Sequence, residues 1–299
     1  MLSYHFGFAH NARRGKRLRP RLLIEVGLFE GAGFEALVDA AAAVELLHNY
    51  SLIHDDIEDE DPVRHGRATL WTRYGLAQAV NAGDALCALS YLSLLASARW
   101  QAPERVIEMA RALHTANLAM CRGQSEDLAF EDRRDVTTEQ YLEMIAAKTG
   151  ALFAVSAELG AVCAGAENRA AFYAQLGHHF GIAFQILDDC RGIWADSQST
   201  GKKRGADIVR KKKSFPIVWA SEHGGGALRS RLASAYDGGN LEARGLEELA
   251  EALRAAGAQE AAYRTLAEHL AFVEQAPAGG VRDFLLALLP LKGSGEIVA

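Results

Sequence analysis

HNYSLIHDDIEDEDPVRHGR, residues 48–67, is the stretch on which the reading of this chain turns. Asp55, Asp56, Glu58, Asp59 and Asp61 follow directly on an apolar run containing Val44, Leu46, Leu47, Leu52 and Ile53. An acidic run by itself is usually a solvated helix face. Here the helix that carries the carboxylates is mostly one that demands burial. A second pair, Asp188 and Asp189 in GIAFQILDDCRGIW, sits on another apolar helix far along the chain. Buried carboxylates are too costly to keep ionised alone, so two such helices call for a cation between them.

The spacing narrows the choice of cation. Asp55 and Asp59 are four apart and share one helix face, which His48, Ser51 and Leu52 continue one and two turns below. All candidate ligands are hard oxygen donors, and Cys and His form no cluster at metal spacing, so Mg²⁺ is favoured over Zn²⁺. Mg²⁺ held by one or two carboxylates leaves room for phosphate oxygens, so the pattern reads as a diphosphate cradle. Cations stand in suitable places: Lys16, Arg17 and Arg19 in GKRLRP, Arg64 after the acidic helix, and Lys148 in AAKTGAL. Lys202, Lys203, Arg204, Arg210, Lys211, Lys212 and Lys213 follow the second acidic helix. Such a run alone would suggest a nucleic-acid patch, but the net charge of −6 argues against one.

With 299 residues, 49% of them hydrophobic, the chain can fill a large core. No strand-like alternation, hairpin signal, repeat or linker is evident, so an all-α single domain spanning 1–299 is expected. Helical patterns cover roughly 20–30, 34–60, 70–99, 103–122, 138–161, 167–194, 212–222, 226–237, 244–256, 258–275 and 280–289. Thr137 and Gln140 suit a capping box. Cys87, Cys121, Cys163 and Cys190 stand singly, as small core residues of a reducing compartment. No signal peptide is seen and charges interrupt the apolar runs, so a soluble cytoplasmic protein without a membrane segment is expected.

The motifs GKRLRP, DDIED, GDAL, GQSEDL, KTG, FQILDD and GK…GAD…KKKSFP occur in this order between Gly15 and Pro216. Together they resemble the trans-isoprenyl diphosphate synthases of the polyprenyl synthetase family, closest to the short-chain geranylgeranyl and farnesyl enzymes. The resemblance implies the isoprenoid synthase fold, a large helical bundle around a central active-site cavity. It implies a prenyltransferase that joins isopentenyl diphosphate to an allylic diphosphate, with Mg²⁺ as cofactor, three ions per site when substrate is bound. A homodimer is implied as well. Position by position, Asp55 and Asp59 resemble the first-motif metal ligands, with Asp56 in support, and Asp188 the second-motif ligand, with Asp189 beside it. Arg64, Lys148, Thr149, Gln185, Lys202 and Lys212 match positions that hold the allylic diphosphate. Lys16, Arg19 and His48 match those that hold isopentenyl diphosphate. Of these, Lys148 and Lys202 join the three aspartates as the catalytic set. His48 also suits a satisfied core histidine, and Gln124 and Asp127 suit either second-line support or a packed polar face. Cys190, Trp194 and Trp219 read as core. Tyr50 and Ser51, five and four residues before Asp55, match chain-length positions, and one aromatic there resembles the geranylgeranyl pattern.

Two positions depart from the family pattern. Gly192 replaces the third acid of the second DDxxD, with Asp196 one turn further on. His65 replaces the second of two arginines, and an imidazole cannot form their bidentate fork. Affinity for the five-carbon donor is thereby weakened. The chain also begins only a short way before GKRLRP, so a leading family helix is shortened or missing. These departures leave two other readings open: a class I terpene cyclase, and a non-catalytic partner subunit of a prenyl synthase.

Overall fold

Alanine- and leucine-rich runs, with prolines kept to first turns or to the segments between, give helix along most of the chain. The computed structural model describes residues 1–8, 15–194, 206–210, 212–236, 243–277 and 279–289. The first helices are α1 (Leu2–His5), α2 (Leu18–Phe29) and α3 (Glu35–Glu58). Strands β1 (Val63–Arg64) and β2 (Arg67–Ala68) follow, then α4 (Leu70–Tyr74), α5 (Leu76–Ala96) and α6 (Pro103–Glu131). Next come α7 (Thr138–Ile145), a π-helical turn (Ala146–Gly150), α8 (Ala151–Cys163) and α9 (Glu167–Trp194). The chain continues through α10 (Ala206–Val209), α11 (Phe215–His223), α12 (Gly226–Tyr236) and α13 (Ala243–Ala255). It closes with α14 (Ala258–Glu274) and α15 (Gly280–Ala287).

Two compact units emerge, Met1–Asn117 with Val155–Ala174, and Leu118–Ala154 with Gln175–Ala299. In the first, α3 and α5 pack through buried stripes at helical spacing: Leu37, Ala40, Val44 and Leu47 against Ala79, Ala82, Leu86 and Leu94. The small residues let the backbones approach, and the buried Ser90 hydroxyl donates to the Ala43 carbonyl at 2.8 Å. In the second unit the Thr137 capping box forms as the sequence suggests. Gly181 brings α9 onto the start of α8, since a Cβ there would sit 2.8 Å from the Gly150 Cα.

Several details correct the sequence reading. The helix expected over 70–99 breaks at Gly75, whose φ of +88° suits glycine alone. A hairpin does exist: β1 and β2 pair antiparallel with Val63 opposite Ala68 and Arg64 opposite Arg67. Its two-residue turn, His65–Gly66, has φ of +52° and +76°, the twist a tight hairpin needs. Histidine is a rare substitute for Asn or Asp at such a turn, which hides the signal. Cys163 and Cys190 are buried as expected, but Cys121 is exposed and Cys87 half-buried, and Trp219 is only half-buried. Two helical stretches, Leu76–Arg99 and Thr138–Cys163, are by length and composition apolar enough to cross a membrane, contrary to the expected interruption by charge. The second is mostly packed inside the protein; the first leaves Leu89, Leu92 and Leu95 exposed along one stripe.

Candidate functional site

In the first unit the acidic run ends α3, where Asp59 caps the helix and Glu60 turns left-handed at φ +51°. The Asp61 N–H reaches the Asp56 carbonyl at 2.9 Å and the Glu60 N–H the Ile57 carbonyl at 3.2 Å, a Schellman closure. That closure keeps Asp55 and Asp59 one above the other on the last turn. Acids here oppose the negative end of the helix dipole, each at a cost of several tenths of a kcal/mol. A left-handed glutamate adds about 1 kcal/mol more.

Asp56 is the exception among these acids. It is 2% exposed and accepts from Arg64 Nε at 2.6 Å. Burial raises its pKa to about 6, against the pull of Arg64. Asp56, expected beside the metal, is thus the anchor that ties the hairpin to α3. His48 accepts from Arg19 Nη1 at 3.1 Å, and because a guanidinium only donates, the imidazole presents its Nε2 lone pair. Burial, with Arg19 next, pushes the His48 pKa well down, so the ring is neutral. Arg19 is itself shifted down to about 10 by burial. Lys16 and His65 are exposed, and the Ser51 hydroxyl is bonded to the His48 carbonyl at 2.8 Å.

Tyr50 packs on a cluster formed by Ile53, Leu70, Ala79, Ala82 and Leu86. The His54 ring lies edge-on to it at 5.1 Å between centroids. Gly83 of the GDAL motif makes room for that ring, since a Cβ there would fall 2.2 Å from His54 Nε2.

In the second unit the π-helical turn carries Lys148 and Thr149; such bulges re-aim side chains. Lys148 Nζ donates to Asp127 Oδ2 at 2.5 Å. Gly123 permits this approach of α6, because a Cβ there would lie 2.4 Å from the Lys148 backbone nitrogen. Thr149 Oγ1 donates to Gln185 Oε1 at 2.9 Å, and Gln185 Nε2 donates to Asp189 Oδ1 at 3.0 Å. Asp189 Oδ2 accepts from the Tyr141 hydroxyl and from the Phe215 N–H, the latter at 2.8 Å. Burial, with Asp189 next, raises the Tyr141 pKa well above normal, so the phenol remains a donor. Asp189 is therefore the buried centre of a relay linking Thr149, Gln185, α7 and α11. Asp188 beside it is exposed. Sequence reasoning missed Tyr141 and understated Asp127; a tyrosine spaced for burial on an amphipathic helix was the available signal. Cys190 and Trp194 are buried, with Trp194 Nε1 donating to the Ala250 carbonyl at 3.1 Å. Lys212 is half-buried, and Tyr236 donates to its carbonyl at 2.7 Å. Lys202, Lys203, Arg204, Lys211 and Asp196 lie outside the described residues. No group of three or more His, Cys, Asp or Glu poised for a metal occurs among the described residues.

Comparison with known proteins bears on the whole arrangement. The family profile described as polyprenyl synthetase matches residues 6–253. The chain is 39% identical over 258 residues to the (2E,6E)-farnesyl diphosphate synthase of Mycobacterium tuberculosis H37Rv, covering 84% of this chain and 70% of that protein. It is 40% identical over 206 residues to the geranylgeranyl diphosphate synthase of Sulfolobus acidocaldarius, covering 68% of this chain and 62% of the relative. The crystal structure of a polyprenyl synthetase from Streptomyces coelicolor A3(2) superposes with a TM-score of 0.88 at 35% identity. That match covers 96% of this chain and 89% of the other.

Proposed function

The chain belongs to the polyprenyl synthetase family, has its all-α isoprenoid synthase fold and is a short-chain prenyltransferase, and from that premise we propose that its product is foremost geranylgeranyl diphosphate. In this reading the allylic C–O bond breaks and its electron pair leaves with the diphosphate. The isopentenyl double bond then closes the new C–C bond, and a proton is lost.

The observation that carries this reading is the acidic end of α3, held by a Schellman closure against its own dipole. Asp55, Asp59 and Asp188 would hold Mg²⁺: all are hard oxygen donors, and Mg²⁺ bound by one or two carboxylates completes its shell from phosphate and water. When bound, Mg²⁺ supplies positive charge to the departing diphosphate. Arg64, Lys148, Thr149, Gln185, Lys202 and Lys212 are assigned to the allylic diphosphate, and Lys16, Arg19, His48 and His65 to the donor. Arg64 and Lys148 are each already held by a carboxylate, so their charges are oriented before substrate arrives. Asp56 and Asp189 act as positioning residues for Arg64 and for Gln185 with Thr149. We also assign the exposed Leu89, Leu92 and Leu95 stripe of α5 to a homodimer contact.

Product length is assigned to Tyr50, backed by His54, as a floor below the Asp55/Asp59 turn. A fifteen-carbon product is the second reading, favoured by the farnesyl synthase relative, 39% identical over 258 residues. Incubation with Mg²⁺, isopentenyl diphosphate and each allylic diphosphate tests the whole. Linear chains of twenty or fifteen carbons decide between the two lengths, whereas a cyclic hydrocarbon or no product refutes the reading. Tyr50→Ala is expected to lengthen the chain by at least one five-carbon unit. A folded, active variant with unchanged product length would place the floor elsewhere.

A further inference from the structure

The first eight residues belong to none of the motifs, yet they are fastened to the hairpin that presents Arg64 and His65. Arg67 stands opposite Arg64 in the ladder. It donates from Nη1 to the Tyr4 carbonyl at 2.5 Å and from Nη2 to the His5 carbonyl at 3.1 Å. These carbonyls end α1, where a cation meets the negative ends of the peptide dipoles, and the Tyr4 carbonyl also accepts from the Gly7 N–H at 3.0 Å. Tyr4 answers from the other side: its hydroxyl donates to the Ala68 carbonyl at 2.9 Å. The Arg67 and Arg73 guanidiniums lie over its ring at 5.1 and 4.2 Å. His5 Nε2 is bonded to Asn49 Oδ1 of α3 at 3.0 Å, and Leu2, Tyr4 and Phe6 pack on the Ile53–Leu86 cluster. Burial, then the nearby Arg64, Arg67 and His65, lowers the His5 pKa to about 4, so the ring sits neutral among the hairpin's cations.

A two-stranded ribbon this short has almost no stability of its own, so its anchors decide where it stands. One anchor is Arg64 on Asp56; the other is Arg67 on α1. The second is made by a half-buried arginine whose Nε is itself buried with no hydrogen-bond partner, an expensive way merely to finish a four-residue helix. Fixed cations bind a diphosphate well only if their positions are set beforehand.

We propose that Met1–Phe8 is a clasp that positions the diphosphate-binding hairpin, acting through Arg67, Tyr4 and His5. The proposal rests on the assignment of Arg64 and His65 to substrate diphosphates. Arg67, Tyr4 and His5 are then positioning residues, and their loss weakens substrate affinity without touching the chemical step.

The test is steady-state kinetics of the full chain with Mg²⁺ and both diphosphates, comparing Arg67→Gln, Arg67→Lys, Tyr4→Phe and His5→Ala. Arg67→Gln is expected to raise KM for isopentenyl diphosphate about tenfold while kcat stays within about twofold. Tyr4→Phe and His5→Ala should each move KM the same way by about two- to fourfold, and Arg67→Lys should restore part of the loss. If Tyr4→Phe and His5→Ala leave KM unchanged while Arg67→Gln raises it, Arg67 meets substrate itself and the clasp is refuted. Unchanged KM in all variants refutes it too. Tyr4→Phe removes one hydroxyl and keeps the packing, so it reads the clasp even if Arg67→Gln fails to fold. Arg64→Gln separates the underlying assignment: if that variant alone leaves KM unmoved, the hairpin is not a diphosphate site.

Discussion

Asp56 and Asp189 occupy equivalent places in two helices of two different units, each the buried second acid of a pair. What holds them differs. Among the described residues Asp56 meets a cation, Arg64, whereas Asp189 accepts from three neutral donors: the Tyr141 hydroxyl, the Gln185 amide and the Phe215 N–H. A lone ion pair at a burial boundary is a weak stabiliser, because desolvation offsets most of the attraction. A carboxylate with three fixed donors is a structural joint, because removing it strands all three. The first unit therefore uses its buried acid to aim a charge, and the second uses its own to lock three elements together.

The largest effect that bears on this contrast comes from their neighbours, half-buried Asp55 and exposed Asp188. Asp55→Asn or Asp188→Asn should each lower kcat by about 10²–10³-fold with unchanged circular dichroism, since each removes charge aimed at the departing diphosphate. Near-normal turnover in either would end the metal assignment for that pair. Stability then separates the buried members. Asp189→Asn should cost about 2–4 kcal/mol, because the amide turns a donor toward other donors. Asp56→Asn should cost less than about 1–2 kcal/mol, because its carbonyl still accepts from Arg64 and a buried charge is gone. Chemical denaturation would read both, and a reversed order would break the comparison.

Titration sharpens the picture of the second unit. Burial, then His179 and His178, lowers the His269 pKa to about 4, and its Nδ1 lies 2.9 Å from His179 Nδ1. A depressed histidine binds its proton less readily folded than unfolded. Its contribution is therefore whole above about pH 6.5 and is lost as pH falls toward 4. Since the ring is only half-buried, the loss should be about 1–2 kcal/mol, and His269→Gln should flatten that part of the stability–pH profile. An unchanged slope would show that another group is responsible. The smallest effect concerns His65. His65→Arg should lower KM for isopentenyl diphosphate about three- to tenfold, more than for the allylic substrate, because a permanent fork donor replaces an imidazole that cannot form the fork. A KM unchanged or raised would remove His65 from the donor site.

Helix positions were legible from the chain because apolar residues recur at helical period, and α3 and α9 match their expected bounds within two residues. The breaks were not. Gly75 and the His65–Gly66 turn are decided by positive backbone angles, and the π-helical turn at Ala146–Gly150 leaves no mark in periodicity. Tyr141 and Asp127 stand far in sequence from the acids and cations they serve, so no local pattern links them to Asp189 or Lys148.

Sequence by itself determined the paired acids, their helical register and the kind of chemistry they serve, because residue type and a spacing of four fix charge and face along one helix. It also determined the family, since seven ordered motifs leave little room for another. Only the tertiary structure decided which acid of each pair is spent on the protein. Asp55 and Asp56 are adjacent and chemically identical, yet a helix sends them in directions about 100° apart. That Arg64 waits for Asp56 is set by how the hairpin packs against α3.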